Sequence, residues 1–353
     1  MAAQAKTKGL LWGIVLAAGE GKRISTFVRL DYGLRAPKQY VAFTGKRSML
    51  QHTLERAERL IPSERILCVV SPDHIEDIKT QLSERPAGTV IFQPRNRETL
   101  PGVLLPLIYI FKRDPEARVV ILPSDHFIQE EDRFMRYVEY ADAFIRWSPD
   151  ETVLLGIQPE GLEVDYGWIE PSETVLDPLD VAVRRVGRFL EKPNPELASA
   201  FFLKKRFLWN IFVTITRAKT LIQMTKAYHP QLWLQFERMM EAMGTKAERA
   251  TIENEYREMK ETNLSRDLFE RVPERISVIE VKDVLWSDWG DGTRVEATLK
   301  KLGKLPVHVS RPLEEAKPSV EKKALGSHRG RQPSMHERLN PSRVSLDING
   351  GRI

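Results

Sequence analysis

LLWGIVLAAGEGKR, residues 10–23, is the stretch that decides how the rest of the chain is interpreted. Lys6 and Lys8 precede its apolar run, which ends in small residues, and this order is typical of a secretory signal peptide. The same letters are typical of a buried strand that runs into a glycine turn followed by basic residues. The first interpretation predicts an exported protein. The second predicts a phosphate-binding loop near the start of the chain.

The glycines of this stretch begin to favour the second interpretation. Gly19 and Gly21 lack a Cβ atom, so the backbone N–H groups of a turn built on them can approach a polyphosphate closely. Lys22 and Arg23 follow and can neutralise its charge. The stretch lacks the third glycine of the dinucleotide fingerprint and the GK[ST] ending of the Walker loop. A tight turn without a ligand therefore remains the alternative.

The composition is that of a globular protein. Hydrophobic residues make up 42% and charged residues 29% of the 353 residues, and no apolar segment reaches the roughly 18 residues that a membrane helix needs. The single cysteine, Cys68, can form no internal disulfide and suits a reducing compartment. The net charge is +5, but residues 311–353 hold nine Lys or Arg and five Asp or Glu, so most of the surplus lies there. We expect a cytoplasmic protein that binds neither nucleic acid nor a membrane.

Short β-rich runs alternate with helical patterns, as in a mainly parallel sheet with crossover helices. Strands are predicted over 13–18, 66–70, 89–93, 119–125 and 152–157, and later in YGWIEP, VGRFLEKP, LWNIFVTI and ISVIEV. Ser48 and Gln51 can form a capping box, and apolar residues then recur at helical spacing at Leu50, Leu54, Ala57 and Ile61. A long helical stretch is predicted over 219–260. The pattern predicts an α/β fold with a mixed, mainly parallel sheet flanked by helices.

Three parts of the chain differ in composition. Residues 1–9 are predicted to be a flexible N-terminus, and residues 10–305 to form one domain. From about Arg311 the chain is rich in Pro, Ser, Gly, Lys and Arg and has no sustained apolar period. We predict that residues 306–353 form a basic, disordered tail, with a basic interaction arm as the alternative.

Two acidic residues follow apolar runs that are distant in the sequence. Asp125 ends the run VVILPSD, and Asp288 lies in VLWSDWG. The carboxyl end of a strand opens into the crevice that α/β sheets use for ligands. Two acids facing a glycine-rich basic turn suit Mg²⁺ bound to substrate phosphates. A hydrogen-bonding role in a loop is the alternative for each acid.

Eight segments together resemble one family, the sugar-1-phosphate nucleotidyltransferases, and within it the mannose-1-phosphate guanylyltransferase branch. In chain order these segments are LAAGEGKR (16–23), APKQYVAFTG (36–45), QPRNRETLPG (93–102), PSDH (123–126), DYGWIEP (165–171), FLEKP (189–193), LWN (208–210) and WSDWG (286–290). The resemblance implies a Rossmann-like fold of the nucleotide-diphospho-sugar transferase type. It also implies that residues 10–23 are the first strand and the nucleotide loop.

The resemblance implies that a nucleoside monophosphate is transferred from an NTP to a sugar 1-phosphate, with release of pyrophosphate. GTP, mannose 1-phosphate and GDP-mannose are the expected substrates and product, and Mg²⁺ the expected cofactor. Arg23 and Lys38 would stabilise the triphosphate and its leaving group, and Asp125 and Asp288 would hold Mg²⁺. The residues that would hold the nucleotide are Leu16, Ala17, Ala18, Gly19 and Gly21, with Asn96 near the base.

The sugar phosphate would lie on the later segments. The resemblance implies that Glu191 binds sugar hydroxyls, that Lys192 binds the sugar phosphate as a catalytic residue, and that Gly167 and Asn210 line the sugar pocket. For each of these residues the alternative is structural, such as a solvated pair at a strand end or a turn cap.

The sequence also departs from the usual pattern of the family. Lys22 replaces a threonine, the segment 24–37 is longer than in most members, and RNRETLPG, WNIF and WSDWGD replace commoner forms. These changes surround the base and the sugar more than the phosphates. The alternatives are therefore the same reaction with another base or sugar, or a silent paralogue that binds a sugar nucleotide and regulates a partner. A homodimer is left open.

Overall fold

The computed structural model describes residues 9–174 and 181–304, and the structural statements below concern these residues. Strand β1 (Leu11–Ala17) is buried near the middle of the sheet. Its side chains alternate between two hydrophobic layers, with Ile14 in one and Val15 in the other, as expected for a strand covered on both faces. Residues 10–23 therefore contain the buried strand that the second interpretation predicts.

Nine of the described strands form one sheet in the order β3-β2-β1-β4-β9-β6-β10-β8-β7. These are, besides β1, β2 (Ile66–Val70), β3 (Val90–Phe92), β4 (Arg118–Pro123), β6 (Thr152–Ile157), β7 (Gly167–Thr174), β8 (Val183–Glu191), β9 (Leu208–Arg217) and β10 (Ile276–Val281). Strands β8 and β9 run against the direction of their neighbours. The prediction of a mixed, mainly parallel sheet is confirmed. A separate antiparallel ribbon pairs β5 (Phe127–Ile128) with β11 (Trp286–Ser287).

Helices cover both faces of the sheet. They are α1 (Ser25–Tyr32), α2 (Met49–Glu58), α3 (Ile75–Gln81), α4 (Thr99–Arg113), α5 (Glu131–Trp147), α6 (Pro195–Lys204), α7 (Ala218–Tyr228), α8 (Pro230–Ala242), α9 (Glu248–Glu258) and α10 (Gly292–Lys301). Residues of α4, α7, α8 and α9 share one hydrophobic layer, and residues of α2, α3 and α5 share the other. No helix in the described ranges is long and apolar enough to cross a membrane.

The local helix predictions are confirmed in one case and corrected in another. Ser48 and Gln51 form the capping box at the start of α2, and its predicted apolar face is buried. The stretch 219–260 is not one helix but α7, α8 and α9. Pro230 begins α8, where its missing N–H is tolerated, and Gly244, at a φ of +82°, lies between α8 and α9.

The longer segment 24–37 contains α1, which belongs to a small third hydrophobic cluster. There Val28 and Tyr32 pack with Phe43 and with Trp289, which lies just before α10. Segment 24–37 therefore contains a packed helix. The predictions for residues 1–8 and 306–353 lie outside the described residues.

Candidate active site

A cleft of about 390 Å³ opens beyond the carboxyl ends of β1 and β4, the position expected for a ligand in an open α/β sheet. The predicted site residues that line it are Leu16, Ala18, Gly19, Gly21, Arg23, Asn96, Asp125, Gly167, Glu191, Lys192, Asn210 and Asp288. Ala17 and Lys38 are buried behind its wall. Segments from the whole domain therefore converge on one cavity of a size common for small-molecule sites.

The glycine turn at the mouth of β1 is held in place from behind. Gln39 Nε2 donates to the carbonyl oxygens of Ala17 at 2.9 Å and of Gly19 at 2.7 Å. Gly21 has a φ of +63°, and a Cβ there would lie 3.0 Å from the backbone nitrogen of Lys38. Both features favour glycine at this position. Lys22 points to solvent, where it pairs with Glu20 at 2.6 Å.

Lys38 connects the two acids that the sequence singled out. Its side chain is only 5% exposed, and its Nζ lies 2.8 Å from Asp125 Oδ2. The same ammonium donates to the backbone carbonyl of Asp288. Burial disfavours the charge of Asp125, but Lys38 and His126 hold the pKa of its carboxyl below the ordinary value. Lys38 thus contacts the acids rather than the open cleft, where the family resemblance would have it meet a triphosphate.

Asp288 is the most fully hydrogen-bonded residue of this group. Its Oδ1 accepts from Tyr166 Oη at 2.7 Å, from Arg294 Nη1 at 2.8 Å and from the Gly290 N–H at 3.0 Å. Burial would raise its pKa, but the Tyr166 hydrogen bond and the nearby Lys38 and Arg294 charges lower it to about 2. Asp288 is therefore ionised at any physiological pH.

Arg23 lies at the open edge of the same group. Its guanidinium is 2.8 Å from Asp165 Oδ2 and 3.5 Å from Asp288 Oδ2, and its side chain is 56% exposed. A cation that is held at the rim by acids yet remains accessible can turn toward a phosphate.

The two acids fit a divalent cation that arrives with phosphates. The Asp125 side chain is 40% exposed in the cleft, and Asp288 keeps Oδ2 free of the hydrogen bonds that engage Oδ1. No group of three or more His, Cys, Asp or Glu in the described ranges could hold a metal ion. Two carboxylates plus substrate phosphates are a usual ligand set for Mg²⁺.

The far end of the cleft is built on β7, β8 and β9. Gly167 pairs with Glu191 in one direction and with Asn210 in the other. A Cβ on Gly167 would lie 2.7 Å from Glu191 Oε2, so the absence of a side chain makes room for this carboxyl. Burial raises the pKa of Glu191 to about 7, although the Lys192 charge opposes the shift. Lys192 has a φ of +52° and an exposed side chain in the cleft.

Asn96 lies near the start of α4, at another edge of the cleft. Its Oδ1 accepts from the Glu98 N–H at 3.0 Å. Glu98, at a φ of +69°, also lines the cleft, and its Oε2 accepts from Asn263 Nδ2 at 3.2 Å. A non-glycine residue in this conformation is strained, which is common where a ligand is bound.

Several residues of the site were not predicted from the sequence. Gln39, His126 and Tyr166 lie inside the quoted segments APKQYVAFTG, PSDH and DYGWIEP, so their position in these motifs was an available signal. Arg294, six residues after Asp288, lies outside every quoted segment. The available sequence signal for Arg294 was its position in the first turn of α10, three residues after the N-cap Asp291.

The sequence of the chain is similar to a known family and to known proteins. A family model described as nucleotidyl transferase matches residues 12–300. The mannose-1-phosphate guanylyltransferase of Escherichia coli K12 is 27% identical over 285 residues, which are 79% of this chain and 58% of that protein. The alginate biosynthesis protein AlgA of Pseudomonas syringae is 28% identical over 222 residues, 62% of this chain and 44% of that protein. The chain spans about half the length of these relatives.

Two solved structures share the fold. A protein of Thermus thermophilus named mannose-1-phosphate geranyltransferase superposes with a TM-score of 0.66 at 24% identity, over 79% of this chain and 76% of that chain. A protein of Helicobacter pylori named mannose-6-phosphate isomerase superposes with a TM-score of 0.60 at 19% identity, over 78% of this chain and 99% of that chain. At these identities the likeness supports the fold alone.

Proposed function

The chain belongs to the nucleotidyl transferase family, and from this premise we propose that it transfers a nucleoside monophosphate from an NTP to a sugar 1-phosphate. We propose GTP and mannose 1-phosphate as the substrates and GDP-mannose and pyrophosphate as the products, because the relatives in E. coli carry the corresponding name. One observation carries the proposal: the cleft sets the glycine turn, the Asp125 and Asp288 acids and the Lys192 cation around one space.

In the proposed reaction a phosphate oxygen of the sugar 1-phosphate attacks the α-phosphorus of the NTP. The new P–O bond forms as the bond to the β-phosphate bridging oxygen breaks, and pyrophosphate takes the electron pair. No covalent enzyme intermediate is needed, so the protein would catalyse the reaction by positioning the substrates and neutralising their charge. The glycine turn and Arg23 would bind the triphosphate. Lys192 would bind the sugar phosphate, and Glu191, Gly167 and Asn210 the sugar.

Lys38 has a positioning role in this proposal. Its contacts with Asp125 and with the backbone of Asp288 support a function in holding both acids in place. Asp125 and Asp288 would hold Mg²⁺ together with the substrate phosphates, and the ion would supply neutralisation of their charge. We also propose a cytoplasmic location, because Cys68 of β2 is buried and unpaired, which suits a reducing compartment.

Pyrophosphate release from the purified full-length chain tests the proposal. GTP, mannose 1-phosphate and Mg²⁺ should release pyrophosphate in equal amount to GDP-mannose, and omission of any one should abolish it. A panel of other NTPs and sugar 1-phosphates decides the substrate alternatives by kcat/KM. If no pair turns over while GDP-mannose raises the Tm, the silent binding paralogue replaces the enzyme.

A further inference from the structure

The cleft extends past the glycine turn along the carboxyl ends of β2 and β3. The two acids lie beside the turn, and the residues proposed to hold the sugar 1-phosphate lie on the other side of it, on or next to β7, β8 and β9. The wall at β2 and β3 includes Val69, Gln93, Asn96, Glu98, Thr99 and Gly102. With the triphosphate at the turn, as proposed, this wall is the place that remains for the base of the NTP.

Among the described residues of this wall, Glu98 is the one with a charged side chain. It directly precedes α4, in the segment RNRETLPG, where the chain departs from the usual pattern of the family. Its φ of +69° is a conformation that a glutamate adopts only at an energetic cost. Strain of this kind persists where the surrounding structure holds it, and it is concentrated at ligand sites.

Asn263 holds the Glu98 carboxylate at this wall. Its Oδ1 accepts from the N–H groups of Ser265 at 3.0 Å and of Arg266 at 2.9 Å, which fixes the orientation of the amide. Its Nδ2 donates to Glu98 Oε2 at 3.2 Å, and Asn263 itself lines the cleft. A carboxylate has about four lone-pair positions, so this one contact leaves acceptors for a ligand.

We propose that Glu98 binds the base of the NTP and selects guanine, an inference that rests on the proposed function, in which GTP binds in this cleft. Guanine presents two adjacent N–H donors, at N1 and at the 2-amino group, and a carboxylate accepts from both in a charge-assisted pair. Adenine has an acceptor at N1, and uracil flanks its single N–H with two carbonyl oxygens. Both bases present lone pairs to a group that only accepts, so Glu98 disfavours them.

Isothermal titration of the full-length chain with nucleotides, in the presence of Mg²⁺ and without a sugar 1-phosphate, tests this assignment. ITP is the discriminating probe, because its base keeps N1–H and lacks the 2-amino group. We expect the wild type to bind GTP about tenfold more tightly than ITP, since ITP loses one charge-assisted hydrogen bond, and to bind ATP and UTP more weakly still. Glu98→Gln should bring the ratio of GTP to ITP affinity close to one, because its amide places a donor against a guanine donor.

Two further variants make the test specific to the position of this carboxylate. Asn263→Asp keeps an oxygen that accepts from the following N–H groups but replaces the Nδ2 donor with an oxygen that repels Glu98. It should therefore also lower the ratio of GTP to ITP affinity. Glu261→Gln, at an exposed acid that does not line the cleft, is the matched control and should keep the wild-type ratio.

An equal loss of affinity for all four nucleotides in Glu98→Gln would mean that the carboxylate binds the ribose, which they share, and would overturn the inference. A wild type that binds ATP or UTP as tightly as GTP would overturn it too. These measurements do not depend on turnover. A chain that selects GTP but makes no GDP-mannose would disprove the proposed reaction and leave the role of Glu98 intact. A chain that makes GDP-mannose, with an unchanged ratio of GTP to ITP affinity in Glu98→Gln, would disprove this role alone.

Discussion

Each end of the cleft holds a buried carboxyl group, and the pKa values of the two groups are shifted in opposite directions. At one end burial would raise the pKa of Asp288, but Tyr166, Lys38 and Arg294 lower it to about 2. At the other end burial raises the pKa of Glu191 to about 7, because the nearby charges of Lys192 and Arg266 do not offset it and Glu270 adds to it. A buried acid stays charged only where the fold supplies enough donors. The charge of Asp288 is therefore fixed by the protein, whereas that of Glu191 depends on pH and on a bound ligand.

The largest effect is expected at the end of the cleft that holds Asp125 and Asp288. Asp125→Asn or Asp288→Asn removes a negative ligand without changing volume, and we expect kcat to fall on the order of 10²-fold or more. Asp288→Asn should also destabilise the fold by about 1–2 kcal/mol, because Arg294 loses its most buried partner but keeps Glu163 and Asp291. Pyrophosphate release and thermal unfolding measure the two effects, with the exposed pair residue Asp132→Asn as control. Wild-type turnover of both variants would disprove the assignment of the acids.

The next effect tests whether the hydrogen bonds of Arg294, and not its charge alone, stabilise the fold around Asp288. Arg294→Lys keeps the positive charge but cannot reproduce the contacts to Tyr166, Asp288 and Glu163. We expect the free energy of unfolding to fall by about 2 kcal/mol. Arg249→Lys, in an exposed pair on α9, should change it by less than about 0.5 kcal/mol. Equal Tm values for the two variants would show that the positive charge at position 294 is enough to stabilise the fold.

A smaller effect with a defined pH dependence is expected at the other end. Because the folded pKa of Glu191 lies above its ordinary value of 4.5, the wild type loses stability as pH rises from 4.5 through 7, and the loss is constant above that. Glu191→Gln removes this term. The free energy of unfolding of the variant should therefore rise relative to that of the wild type between pH 5 and 8, by about 2 to 3 kcal/mol, and its Tm should rise accordingly.

The exposed glutamate on α6 provides the matched control for this pH series. Glu196→Gln should show no such gain in Tm over the same range. A constant Tm difference between Glu191→Gln and the wild type from pH 5 to 8 would mean that Glu191 titrates as an ordinary acid.

The smallest effect is expected outside both ends. Lys22→Thr introduces the threonine that the family resemblance leads us to expect and removes one exposed ion pair with Glu20. Surface pairs contribute about 0–1 kcal/mol, so Tm should barely change and kcat/KM should stay within about twofold of wild type. A larger change in the KM for GTP alone would place Lys22 in the nucleotide site.

The sequence predicts the parts of this molecule that carry a local pattern. The run ILCVV is apolar throughout, and the predicted strand 66–70 matches β2 at both ends. Strands β5 and β11 have two residues each, which is too short for any period, and their pairing depends on tertiary contacts. This ribbon joins the segment after Asp125 to the segment before Asp288.

In the cleft, too, the sequence predicts what a local motif marks but not what depends on tertiary contacts. Residues in recognisable segments, such as Gly19 and Asn210, were predicted and do line it. The burial of Lys38 and the contact of Arg294 with Asp288 were not, because both depend on packing between segments far apart in the chain. Residue type and motif indicate which chemistry is present. The direction of a long side chain is decided only by its neighbours in the fold.

The β5–β11 ribbon also has a consequence for synthesis. Trp286 and His126, which meet beside it, are 160 residues apart. At translation rates of about 5–20 residues per second, roughly 8 to 30 seconds separate their emergence. A nascent chain can build β1 to β4 long before β11 exists, but it cannot bring Asp288 to Asp125. Prematurely terminated chains should therefore be catalytically inert even when much of their sheet has folded. Because β5 is short, the strand edge that stays unpaired until β11 is synthesised is also short.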